Sequence, residues 1–219
     1  MLYIFIFVLF SVPETVFPAC DVCEQYSKTP TWQSINDKFE FACPEGWKVF
    51  NRTRGTYCMK IFYTNYPQYI ASAQCALSDA YLPGIESETE WTWLYTTIRS
   101  YVVANGDDYG YFWVGGARIP ACSYNMSNST WCSLSSNAFI WGDYYLTGPA
   151  TILDAHLKGD NVGEIQNCII LRVNADSGQA LDDISSTVGI SSDSSVIPSG
   201  YVCGKPADIV GLKPTCSTS

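Results

Sequence analysis

Two kinds of side chain in this chain could carry chemistry, a single histidine and a set of ten cysteines. His156 follows Asp154 by two positions, and an imidazole titrates near neutral pH, so it could serve as a base. A base needs something to activate. No serine sits in a nucleophile-elbow pattern, and neither an HExxH helix nor a phosphate-cradling glycine loop occurs. His156 therefore reads as a surface residue in a loop, and the chain as no enzyme. Cys20-Asp-Val-Cys23 has the spacing of a redox or zinc motif, yet it has no second such pair and no histidine beside it. A disulfide role follows for these thiols.

The remaining cysteines are Cys43, Cys58, Cys75, Cys122, Cys132, Cys168, Cys203 and Cys216. An even set suits an oxidising compartment. Three Asn-x-Ser/Thr tripeptides, at Asn51, Asn125 and Asn128, agree with export and fall in expected loops. Leu2 to Phe10 is an unbroken apolar run ended by Pro13 and Glu14. That is about half a bilayer in length, the core of a signal peptide rather than an anchor. Residues 1–19 are read as that leader, with cleavage after Ala19 and a secreted, extracellular product. No later stretch is apolar enough to span a membrane. With 21 carboxylates against 12 bases, nucleic acid and anionic membrane are poor partners, since both need basic surface. The acidic balance is compatible with cation binding without demonstrating it. Apolar residues at 47% and aromatics at 15% supply an ample core.

The elements that must position these residues follow from periodicity. Cys20 to Ala42 lacks a sustained period and reads as an N-terminal flank, 20–42. Trp47 to Phe50 and Tyr57 to Phe62 alternate as a hairpin around a turn at Asn51 to Gly55, which Cys43 and Cys58 can clamp. Asn65 and Pro67 open a helix to about Ala80, with Asn65 as its cap and Pro67 in its first turn. Ser87-Glu-Thr-Glu90 is a capping box for a second helix, whose Trp91, Leu94, Tyr95 and Ile98 form one buried stripe. Tyr111-Phe-Trp-Val-Gly-Gly116 is a core strand whose glycines either bend it or admit another backbone. Cys122 and Cys132 enclose a short polar loop bearing the Asn125 and Asn128 sequons, a small disulfide-closed excursion. Phe139 to Tyr145 is a second aromatic strand, Leu146 to Gly163 a long loop, Cys168 to Val173 a strand, and Tyr201 to Cys203 the last. A Ser-rich loop covers 185–199. Helices at the front with short non-sequential strands make the chain α+β.

The order of Cys43-Pro-x-Gly-Trp47, Cys75 within a helix, the Trp113 strand, Phe139-x-Trp-x-Asp143 and Asn167-Cys168 resembles the C-type lectin-like domain, most closely its secreted nematode-type members. The resemblance spans about 43–204 and leaves 205–219 as a tail. It implies two helices packed on short antiparallel sheets with a long loop region, stapled by Cys43–Cys58 and Cys75–Cys203. The family's other bridge joins the Cys168 position to a cysteine where this chain has Ser186, so Cys168 needs another partner or stays free. Cys20, Cys23, Cys168 and Cys216 then have three alternative pairings. In sugar-binding members a Ca²⁺ ion, which takes six to eight oxygens, shares its shell with sugar hydroxyls. The resemblance maps that donor set onto Asp160, Asn161, Glu164, Asp182 and Asp183. The family's central proline is missing from 158–161, Glu164 lies four rather than two residues before Cys168, and Leu181 stands in place of a tryptophan. Two readings stay open. One is a lectin that binds glycans through Ca²⁺, in recognition of microbes, at a dissociation constant no tighter than ~10⁻⁴ to 10⁻³ M. The other is a lectin-fold module that binds a protein ligand without Ca²⁺ or sugar.

Overall fold

The computed structural model describes residues 38–122, 132, 138–141, 143, 146, 151–157, 166–186, 188 and 196–213. The expected leader, the Asn125 and Asn128 sequons, Cys20, Cys23 and Cys216 lie outside them.

The chain alternates apolar residues at both parities through its central strands, and such strands are buried on both faces. Strands β2 (Lys48–Arg52), β3 (Gly55–Phe62), β4 (Tyr109–Arg118), β5 (Phe139–Ile140), β6 (Cys168–Asn174), β7 (Gly178–Ile184) and β8 (Gly200–Pro206) form one sheet. Its order is β2-β3-β8-β4-β6-β7, with β5 added on β4. The pairs are antiparallel except β4 with β8, where Phe112 and Trp113 run parallel to Gly200 and Tyr201. Phe112, Val114, Ile169, Leu171, Leu181 and Val202 join one core cluster. Their neighbours Trp113, Ile170, Tyr201 and Cys203 join the other.

Helices α1 (Gln68–Ala76) and α2 (Glu88–Asn105) cover opposite sides of the sheet. Helix α2 buries Trp91, Leu94 and Ile98 of the expected stripe and adds Val102 a turn later, while Tyr95 is only half-buried. Helix α1 differs from expectation at both ends. Pro67 is its N-cap, no side chain caps it, and it stops at Ala76 because Asp79 turns left-handed at φ 52°. Only Ala71 and Cys75 of α1 are buried. Small side chains let the helix lie close to β8, and the Cys75–Cys203 bridge, with Cα atoms 5.3 Å apart, fastens it there.

Both readings of the glycines in β4 hold. Gly115 donates its N–H to the Pro83 carbonyl at 2.8 Å, and a Cβ there would lie 2.5 Å from the Leu82 oxygen. Gly116 has φ +118°, and the β4–β6 register shifts between Trp113 and Ala117.

Other regions depart from the sequence reading as well: of the aromatic strand expected from Phe139 to Tyr145 only Phe139–Ile140 is strand, and Trp141 and Asp143 lie outside it. The hairpin turn is shorter, with Asn51 and Arg52 paired to Thr56 and Gly55 as part of β2. The loop from Leu146 contains a short helix, α3 (Thr151–His156), so His156 is helical rather than in a loop. The unexpected β7 pairs along the whole of β6. Strand β1 (Phe39–Ala42) pairs with β9 (Asp208–Leu212), so the flank and the tail each contribute a strand to a two-stranded ribbon. No helix among the described residues is long and apolar enough to cross a membrane.

Candidate functional site

Of the five oxygen donors expected to share a cation, Asp160, Asn161 and Glu164 fall outside the described residues. Asp182 and Asp183 sit on β7, opposite Ile170 and Ile169. Strand alternation turns adjacent side chains to opposite faces. Asp183 accordingly shares the face of Leu181 and Ile169 and is buried, whereas Asp182 shares that of Ile170 and is half-buried.

The Asp183 carboxylate accepts a hydrogen bond from Nη2 of Arg118, and both side chains are withdrawn from solvent. Arg118 ends β4. Its Nε donates to the Gln166 carbonyl at 2.9 Å, and its guanidinium lies 4.3 Å from the centre of the Phe139 ring. Burial lowers the Arg118 pKa, and the charge and hydrogen bond of Asp183 oppose that shift. The chain thus supplies its own cation to the carboxylate that a metal ion would need. Of the two described donors, one is held by a guanidinium and the other is turned to the opposite face. Asp182 and Asp183, two of the five expected donors, are thus not brought together on one face of β7.

A second buried charge cluster lies where β2 meets the start of α2. Arg52 donates from Nε and Nη2 to the two Glu90 oxygens at 2.8 and 3.0 Å, from Nη1 to Asp143 at 2.7 Å, and from Nη2 to the Gly84 carbonyl at 2.7 Å. The Tyr57 hydroxyl donates to the same Asp143 oxygen at 2.6 Å, and Arg52 lies 3.6 Å above the Tyr57 ring. Burial alone would lower the Arg52 pKa, but Glu90, Tyr57 and Asp143 reverse that and raise it. Burial, then the Asp143 charge, pushes the Tyr57 phenol well up. Glu90 is therefore more than half of a capping box. Ser87 does accept from the Glu90 N–H at 3.2 Å, but the Glu90 carboxylate accepts from Glu86 N–H at 2.7 Å and clamps Arg52. This cluster ties the hairpin, the helix and Asp143, three residues beyond the end of β5, together. The sequence reading missed it, although Arg52 shares the strand parity of buried Phe50.

His156 stacks on Trp91, with ring centres 4.1 Å apart, and its Nε2 stands 3.6 Å from Glu88. Asn51 is exposed at the end of β2. Cys43–Cys58 and Cys122–Cys132 close as expected, and Cys168 is buried and free.

The model of a family described as "C-type lectin domain-containing protein 141/158" matches residues 48–206. The chain belongs to this C-type lectin domain family. Solved structures similar to it include the C-type lectin domain of murine dendritic cell inhibitory receptor 2 in complex with N-glycan. It shows 16% identity over 75% of this chain and 99% of that one, with a TM-score of 0.45. The cow carbohydrate-recognition domain of CD23, studied with a GlcNAc2Man3 oligosaccharide, shows 17% identity over 77% and 99%, at 0.44. Herring type II antifreeze protein shows 21% identity over 76% and 100%, at 0.45. Among curated proteins none matches the chain. The Cys43–Cys58 and Cys75–Cys203 bridges that the resemblance implied are both present in this C-type lectin domain.

Proposed function

We propose that this C-type lectin domain protein is a secreted, non-enzymatic module that recognises an extracellular glycan or protein without a Ca²⁺ ion on β7. The observation that carries the reading is the buried pairing of Asp183 with Arg118. A guanidinium fixed beside the carboxylate supplies the positive charge that the ion would bring, and it would repel a divalent cation at contact distance. The fold and the family support a binding role, and the apolar leader and the cysteine count support export.

Binding of the intact secreted chain to immobilised glycans and to cell-surface proteins, in millimolar Ca²⁺ and in chelator, tests the proposal. Equal binding in both conditions is expected. Glycan binding abolished by chelator and restored by Ca²⁺ would overturn it in favour of the calcium-dependent lectin.

A further inference from the structure

We propose that Asn51 carries an N-linked glycan whose first sugars lie in the groove between the β2–β3 turn and the β1–β9 ribbon. The proposal rests on the export that the proposed function assumes, because such a glycan is attached in the secretory pathway. It does not rest on the calcium reading, since Asp182 and Asp183 take no part in it.

Strand pairing brings Asn51 and the ribbon to the same face of the sheet. Along β2, Phe50 and Arg52 turn to the core, and Val49 and Asn51 are exposed on the other side. Residues directly opposite in an antiparallel pair share a face, so Cys58, opposite Val49, and Thr56, opposite Asn51, lie on that outer side too. The Cys43–Cys58 bridge fastens the residue that follows β1 to it. Ala207, which precedes β9, donates its N–H to the Thr56 carbonyl at 2.9 Å. Both strands of the ribbon are thus anchored beside Asn51. The groove left between encloses about 390 Å³, and its lining includes Phe39, Phe41, Asn51, Gly55, Thr56 and Lys213. That volume lies at the small end of ligand sites.

The three residues of the sequon differ in what holds them. Arg52 is locked into the buried cluster with Glu90 and Asp143. Thr53 donates from its N–H and its Oγ1 to Glu86 Oε1, at 2.9 and 3.2 Å. The Asn51 side chain is exposed and makes no hydrogen bond among the described residues. Because the Thr53 hydroxyl is engaged once the chain has folded, attachment belongs to the nascent chain. In that step the Asn51 amide nitrogen loses a proton and bonds to C1 of N-acetylglucosamine on a lipid-linked oligosaccharide diphosphate. The C1–oxygen bond to the diphosphate breaks, and the lipid diphosphate leaves with the bonding electron pair.

The groove has the chemistry of a sugar bed. One face of a pyranose ring presents only C–H groups, and packing it on an aromatic side chain removes apolar surface from water. Phe39 and Phe41 are both half-buried, so each still has apolar surface to cover. Thr56 and Lys213 offer polar groups to the ring hydroxyls. Being tethered at Asn51, the sugars meet the groove without the loss of freedom that a diffusing ligand suffers. β2 is also the terminal strand of the sheet, and a glycan on it obstructs the addition of a strand from another chain.

The test uses the full chain expressed in cultured eukaryotic cells. Peptide mass mapping of the secreted protein, before and after peptide N-glycosidase, should find Asn51 occupied. Secreted protein with Asn51 bare would overturn the site and leave the export reading standing, whereas a chain kept inside the cell with its leader uncleaved would overturn both. Seating in the groove is read by hydrogen exchange over Phe39–Ala42, which should be about threefold slower in the glycosylated protein than in Asn51→Gln. The melting temperature should fall in Asn51→Gln, and by less than half as much in a Phe39→Leu background, where the ring is gone but an apolar side chain remains. Equal exchange and equal melting with Asn51 occupied would show a glycan that projects into solvent, and would overturn the seating. The exchange comparison needs only Asn51→Gln and decides the matter even where Phe39→Leu fails to fold.

Discussion

Arg118 at the end of β4 and Asp183 near the end of β7 form an ion pair with both side chains out of solvent, across a separation of 65 residues. Removing one member of such a pair strands the other charge in the interior, which costs ~3–5 kcal/mol. Arg118→Met and Asp183→Leu should each lose about that much on chemical denaturation. The double variant Arg118→Met with Asp183→Leu should lose clearly less than the sum of its single changes, because no charge is left unpaired. Additive losses would show that the two groups do not act as a pair.

Cys75→Ser and Cys203→Ser should each destabilise severely and non-additively, since both open one bridge. The closed loop spans 128 residues, for which the chain-entropy account gives ~5 kcal/mol. Non-reducing peptide mapping that links Cys75 to any other cysteine would contradict the assignment.

Trp113 is fully buried, and its Nε1 donates to the Tyr66 carbonyl at 2.9 Å. Emptying this site in Trp113→Ala should cost at least ~3 kcal/mol. Gly115→Ala should be comparably harmful for a different reason, because its Cβ would meet the Leu82 and Pro83 backbone within 3.0 Å. Unchanged melting of either variant would remove β4 from its central place.

Cys168 is buried and free, and burial pushes its thiol pKa up to about 11 from 9.0. A thiol whose folded pKa is raised favours the folded state fully below the unfolded value, and that contribution is lost as pH rises through the folded one. The stability difference between wild type and Cys168→Ala should therefore narrow between pH 9 and about 11. Iodoacetamide at pH 8 should label Cys168 only after denaturant is added.

Much of this was legible because it is written in local pattern. The Trp91-Leu94-Ile98 stripe, the Ser87 cap and the run of aromatics around Trp113 are short-range signals, and each produced its element. The fate of charged residues was not. Asp183 enters the sequence reading only as a donor mapped by the resemblance, and its place in a strand follows from pairing with β6. Its partner Arg118 lies in a distant strand, and no local pattern joins them. Arg52, Glu90 and Asp143 meet across 38 and 91 residues for the same reason. The ribbon of β1 and β9 escaped because Phe39–Ala42 is too short to show a period before its partner is known.

The central claim, recognition without Ca²⁺ on β7, is tested most directly by calorimetric titration of the intact chain with Ca²⁺ into the millimolar range. The pairing of Asp183 with Arg118 predicts no saturable heat from this strand, and melting curves in Ca²⁺ and in chelator that superimpose. A saturable site with a dissociation constant of ~10⁻⁴ to 10⁻³ M, together with a Ca²⁺-dependent rise in melting temperature that disappears in Asp182→Asn, would contradict it.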